Sequence, residues 1–195
     1  MNIERIVREI EQGNLVITPT DTVYGILADA TNPAAIEKVY LAKQRDRRKP
    51  LIMLVADEKM LREYVVELND LETKLIHDFL PGKMTILLRR NEKVLGSVVN
   101  GGELIGIRIP DQPELIEIIR AVGNPLVSTS ANLSEHATVT NPDLLESDIL
   151  EKIRYVENAG TIESAPSTLV KVEDDKVKIL REGELAEEIK KRYLS

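Results

Sequence analysis

Apolar residues recur along this chain with two periods. Ile3, Ile6, Val7 and Ile10 fall at i, i+3, i+4 and i+7, the stripe of a helix with one buried face, and Gly13 is placed to end it. Leu15 to Thr18 is short, apolar and β-branched, as a buried strand requires. Asn32-Pro33 sets an N-cap before a proline at the first helical position, opening a helix that turns Ile36, Val39 and Tyr40 inward. Leu51 to Val55 reads as strand. Asp57 and Asp70 read as caps of two further helices, the second carrying Leu71, Leu75, Ile76 and Phe79 as far as Pro81-Gly82. Met84 to Leu88 is the next strand. Ile105, Ile107 and Ile109 then alternate with Gly106 and Arg108, so a strand with one apolar face sends Arg108 to the other side, where it requires an anion or open water.

The second half continues the alternation. A helix from Pro113 carries Leu115, Ile116, Ile118 and Ile119 and ends at Gly123, and Pro125-Leu-Val begins another buried strand. Asn141-Pro142 caps a helix, and Tyr155-Val156 is a short strand. Ser167 to Val172 and Lys176 to Leu180 flank Glu173-Asp-Asp175 as a hairpin, and Leu185 to Tyr193 closes the chain as a helix. Crossovers mixed with one hairpin predict an α/β fold: a twisted open mixed β-sheet with helices on both faces. No repeat or linker divides it, so residues 1–195 are expected to form a single domain.

Composition narrows the chemistry. With no cysteine, disulfides, thiolate zinc sites and cysteine nucleophiles are excluded, and His77 and His136 do not stand in metal-ligand spacing. No apolar run reaches membrane-spanning length and the N-terminus is amphipathic rather than signal-like, so the cytoplasm is the expected compartment, with no membrane partner. Aromatics make up 3% of the chain, which argues against base stacking as a means of holding single strands.

Against a net charge of -7, the run Lys43-Gln-Arg-Asp-Arg-Arg-Lys-Pro-Leu51 concentrates positive charge at a helix-to-strand junction. Such a run is either a solvated helix end or a face for an anion. Polar loops accompany several strands: Thr20 to Tyr24, Arg108, Ser128-Thr-Ser-Ala-Asn132, Ser167 and Arg181. If the strand ends converge as in an open α/β sheet, these groups share one cleft whose cations and hydroxyls suit phosphate or carboxylate. Gly82-Lys83 is no Walker loop, because His77 stands where the glycine is needed. The residues alone stop at an anionic, phosphate-bearing small molecule or a nucleic-acid backbone.

The set Pro19-Thr-Asp-Thr-Val-Tyr-Gly25, Lys43-x-Arg45 with Pro50-Leu51, Ser130-Ala-Asn132, and Ser167-Thr168 followed by Arg181-x-Gly183 resembles the YrdC-like family, the threonylcarbamoyl-AMP synthases. The resemblance spans almost the whole chain in the family's order. It implies a YrdC-like sheet with an electropositive concave surface, and a short form without the additional C-terminal domain of longer members. It implies condensation of L-threonine, bicarbonate or CO2, and ATP into threonylcarbamoyl-adenylate with release of pyrophosphate, for threonylcarbamoyladenosine at tRNA position 37. By motif, Lys43, Arg45, Ser130 and Asn132 form the catalytic set. Arg45, Lys49, Ser130, Thr138 and Arg181 contact ATP, and Thr22, Arg108, Ser128 and Ser167 hold threonine. Mg2+ is expected with ATP and no covalent cofactor; no metal ligands are assigned. The tRNA threonylcarbamoyl-transfer machinery is the implied partner. Leu54, where some members place a histidine, and Lys83, where many have proline, depart from the pattern. The alternative is a module binding double-stranded RNA or tRNA on the basic concave face.

Overall fold

Asn2 caps the first helix through its side chain, which accepts from the Arg5 amide, and the stripe predicted there buries Ile6 and Ile10 in α1 (Ile3–Glu11). The computed structural model describes residues 1–134, 136–162 and 165–194. The chain continues through β1 (Val16–Thr18), β2 (Gly25–Asp29), α2 (Pro33–Ala42), β3 (Ile52–Leu54), α3 (Glu58–Arg62), α4 (Asp70–Phe79), β4 (Met84–Arg89) and α5 (Gly96–Val99). It ends with β5 (Leu104–Arg108), α6 (Pro113–Val122), β6 (Leu126–Ser130), α7 (Ser147–Leu150), β7 (Tyr155–Val156), β8 (Thr168–Glu173), β9 (Lys176–Arg181) and α8 (Ala186–Tyr193).

All nine strands of the described residues join one sheet in the order β7-β1-β2-β6-β3-β5-β4-β8-β9. The pairs β1 with β7, β3 with β5 and β4 with β8 are parallel and the rest antiparallel, so the sheet is mixed as expected. Helices cover both faces. Ile6 and Ile10 of α1 and Leu115, Ile118 and Ile119 of α6 pack with Leu27, Leu54 and Leu126 on one face. Ile36 and Val39 of α2, Leu75 and Ile76 of α4 and Ile189 of α8 pack with Ile26, Met53, Ile107 and Val127 on the other. Each such side chain, fully buried, contributes about 1.5–3 kcal/mol, so this double layer is what holds the sheet.

Four details differ from the sequence expectations. The helix α4 is capped by Asn69, whose side chain and that of Glu72 form a reciprocal capping box, so Asp70 is its first residue rather than its cap. Asn141-Pro142 opens only a 3-10 turn, Pro142–Leu144, with α7 following. The strand β2 and the helix α5 were not anticipated. In contrast, Asp57 caps α3, and the β8–β9 hairpin turns at Asp174 and Asp175, both with positive φ (53° and 55°), as a two-residue hairpin turn requires.

Candidate active site

Pairing registers place the site. Gly25 lies opposite Ser130, and Ser128 opposite both Leu27 and Ile52. Gly106 lies opposite Ile52 and Arg108 opposite Leu54. Residues two apart share a face, so Gly25, Ser130, Ser128, Ile52, Leu54 and Arg108 all look out on the side that carries α1 and α6. Those helices cover part of that face, and the part they leave open is a cleft of about 330 Å³. The expectation that strand ends converge at one edge is corrected here. Because β6 is antiparallel to β3 and β3 parallel to β5, Ser130 and Arg108 end strands at opposite edges, and the cleft runs across the sheet face between them.

At one end stands Arg108, 3% exposed. Its Nε donates to the Gly82 carbonyl (2.9 Å) and its Nη1 to Thr22 Oγ1 (3.0 Å), while its Nη2 forms a buried ion pair with Asp21. The anion that the strand pattern demanded therefore comes from the protein itself. Burial pulls the Arg108 pKa down and the Asp21 carboxylate opposes that, so the guanidinium remains a cation. Thr20 Oγ1 donates to the Val23 carbonyl (2.6 Å), so in its 3.0 Å contact with Thr22 Oγ1 the donor is Thr22. The Thr-Asp-Thr loop is thereby draped over the sheet and fixed to Arg108.

Ser167 and Arg181 adjoin this end. A register shift between Leu169 and Val170 sets Arg181 opposite Leu169. Its Nε and Nη2 donate to the Ser167 carbonyl (3.1 and 2.9 Å) and Nη2 also to Ser167 Oγ (3.1 Å). Ser167 Oγ shares a 2.7 Å hydrogen bond with the buried Thr85 hydroxyl. Burial and the nearby Arg108 both lower the Arg181 pKa, which marks two guanidinium groups held close together. An anion between them relieves that repulsion.

At the other end, Ser130, Asn132, His136 and Thr138 line the cleft with Arg45. Arg45 donates to the carbonyls of Lys49 (3.1 Å) and Pro50 (2.9 Å), which folds the basic run back on itself. Lys43 is buried at 1% exposure, and it does not line the cleft. Its ammonium donates to the Ser130 carbonyl and to the Asn132 carbonyl (2.6 Å), with Asn132 Oδ1 at 3.5 Å. Burial, and then Arg45, push its pKa down to about 7, while Glu146 works the other way. Lys49 also stays outside the lining and is exposed. Arg47 and Arg48 pair with Glu37 and Asp46, which offsets part of the run's positive charge.

Sequence reasoning missed Asp21 as the partner of Arg108, and His136 and Glu146 altogether. Glu146 accepts from the Leu133 amide (2.9 Å) and from His136 Nδ1, while the His136 carbonyl accepts from Asn132 Nδ2 (2.7 Å), so the two residues brace the loop after β6. Their separation along the chain leaves no local signal. Leu54 and Lys83 have plain placements: Leu54 lines the cleft beside Arg108, and Lys83 pairs with Glu184.

A family model described as Sua5, yciO and yrdC, telomere recombination, matches residues 8–183. A Methanocaldococcus jannaschii protein, provisionally named as a threonylcarbamoyl-AMP synthase, is 41% identical over 93% of this chain and 85% of its own length. The threonylcarbamoyl-AMP synthase of Bacillus subtilis is 33% identical over 92% of this chain, a match that spans only 52% of that protein. Pyrococcus abyssi Sua5 complexed with L-threonine superposes with a TM-score of 0.91 at 29% identity, over 97% of this chain and 56% of that one.

Proposed function

The chain belongs to the Sua5/YciO/YrdC family, and from that premise we propose that it is an L-threonylcarbamoyladenylate synthase, joining L-threonine, bicarbonate or CO2, and ATP with release of pyrophosphate. The observation that carries the reading is the pairing of Arg108 and Arg181 at one end of a single cleft, with Arg45 and the Ser130–Asn132 turn at the other. Two anion-binding ends on one open sheet face suit a small carboxylate and a polyphosphate that must meet between them.

In this reading Arg108 takes the threonine carboxylate by forked hydrogen bonds, and the hydroxyls of Thr22, Ser128 and Ser167 receive its remaining polar atoms. Arg45, Ser130, Thr138 and Arg181 hold the nucleotide, with Lys49 reaching it from the rim. Attack of the carbamate oxygen on the α-phosphorus forms one P–O bond as the bond to pyrophosphate breaks. Negative charge accumulates on both sides of that phosphorus, and fixed cations offset it without a covalent enzyme intermediate. Lys43 acts one step removed, as the group that shapes the Ser130–Asn132 turn.

Asp21 is the one carboxylate lining the cleft among the described residues, and it is committed to Arg108; no cluster of three or more metal-ligating side chains occurs among them. Mg2+ thus fits as a companion of the ATP phosphates, supplying charge neutralisation there, rather than as an ion caged by this chain. No helix of the described residues is long and apolar enough to cross a membrane. We place the enzyme in the cytoplasm, where the tRNA-modifying machinery would consume its product. Incubation with threonine, bicarbonate, ATP and Mg2+ is expected to yield pyrophosphate and a threonine-dependent adenylate. Absence of both, or pyrophosphate release indifferent to threonine, overturns the assignment.

A further inference from the structure

A carboxylate on the wall of an anion-binding cleft works against the binding of anions, so Asp21 calls for a reason. Its side chain is 8% exposed. One oxygen, Oδ2, pairs with Arg108 and accepts from the Asp111 amide at 3.0 Å. The other, Oδ1, is buried and accepts from no donor. A buried acceptor without a partner is a standing penalty on the fold, and a donor on a ligand at this wall would relieve it.

Beside it, Arg108 is bound through Nε, one hydrogen of Nη1, and Nη2 in the ion pair, so the guanidinium retains hydrogens for a ligand. The wall therefore presents a cation and an anion side by side, both shielded from water. A bare carboxylate satisfies only half of that pair. A ligand carrying a carboxylate and an ammonium on one carbon satisfies both halves, and the low dielectric strengthens both contacts. The Thr22 hydroxyl supports the same polarity. Its hydrogen points to Thr20, so its remaining lone pair offers an acceptor and not a donor.

We infer that Asp21 is a specificity-determining residue of the amino-acid end of the cleft: it accepts from the α-nitrogen of the substrate through Oδ1 while Arg108 holds the carboxylate. The inference rests on the proposed function and goes beyond it by selecting free α-amino acids over other small carboxylates. A nitrogen anchored there keeps one N–H after carboxylation, so the same contact holds the carbamate in place for the second step.

The test compares L-threonine with 3-hydroxybutyrate, which has the carboxylate and hydroxyl but no nitrogen, by ligand-observed NMR titration of the full chain, wild type and D21N. ATP affinity, measured alongside, reports that the variant is folded. Wild type is expected to prefer threonine at least tenfold. D21N is expected to weaken threonine at least tenfold while changing 3-hydroxybutyrate less than threefold. Equal weakening of both ligands, or a threonine preference within threefold of wild type, overturns the inference and leaves Asp21 a positioning residue for Arg108. Either of those results leaves the synthase assignment standing. Failure of wild type to bind threonine at all, with ATP binding intact, is a separate result that removes both.

Discussion

A lysine whose hydrogens all point at the carbonyls of one turn is a device for shaping that turn. Lys43, which its motif places in the catalytic set, gives its ammonium hydrogens to the carbonyls of Ser130 and Asn132. Burial has also moved its titration to about 7, against an ordinary 10.5. Between those values the unfolded chain binds more protons than the folded one, so stability is expected to rise with pH across that window. Below it, both states are protonated and the full penalty of burying the cation applies. The slope has a ceiling of about 1.4 kcal/mol per pH unit. Urea unfolding of wild type and K43M at several pH values between 7 and 10 is expected to show that rise only in wild type; parallel curves would refute it. Turnover of K43M is expected to fall by tenfold or more, because two carbonyls of the turn lose their donor.

At the scale of elements, function depends on how two strands are brought against a loop. The register shift in β8 sets Arg181 beside Ser167, and Gly183 lets the chain after β9 pass against the same loop. A Cβ on Gly183 would lie 2.4 Å from the Pro166 carbonyl oxygen and 2.6 Å from the Thr168 nitrogen, both backbone atoms that cannot swing away. G183A is therefore expected to destabilise the fold by about 1–3 kcal/mol, read from its urea midpoint, and to raise the KM for ATP as Ser167 and Arg181 separate. What the sequence disclosed at this scale follows physical strength of signal. The stripes of α1 and α6 and the Asp174-Asp175 turn were legible because periodicity and turn chemistry are local. The strand β2 was not, because Gly25 follows six residues of polar loop and its pairing with β1 and β6 is a tertiary fact. The cap of α4 was displaced by one residue because Asn69 and Asp70 are both good caps, and only Glu72 reaching back decides between them.

For the molecule as a whole, the cleft draws on segments that no local pattern relates. Motif resemblance named most of its lining, Thr22, Arg45, Arg108, Ser128, Ser130, Thr138, Ser167 and Arg181 among them. It did not reveal that the Lys43 ammonium bonds the Ser130 and Asn132 carbonyls, or that Asp21 pairs with Arg108, since both depend on folding across the sheet. Because arginine side chains stand at both ends of one cleft on one sheet face, ligands held there are expected to reinforce each other. A melting-temperature series is expected to show ATP and threonine together, with Mg2+, stabilising the chain beyond the sum of each alone; simple additivity would place them on independent sites.

The strand order has a consequence for how the chain is built. β6 lies between β2 and β3, both made long before it, and it alone joins the three-stranded half-sheet of β7, β1 and β2 to the five strands from β3 to β9. Until it inserts, β2 and β3 each expose an unpaired edge, the kind of surface on which nascent chains associate wrongly. The same strand carries Ser128 and Ser130. Joining the two halves of the sheet thus waits for residue 130, and the cleft is complete only when Ser167 and Arg181 have followed, so ligand occupancy becomes a report that the central strand has been threaded into place and the last strands added beyond it.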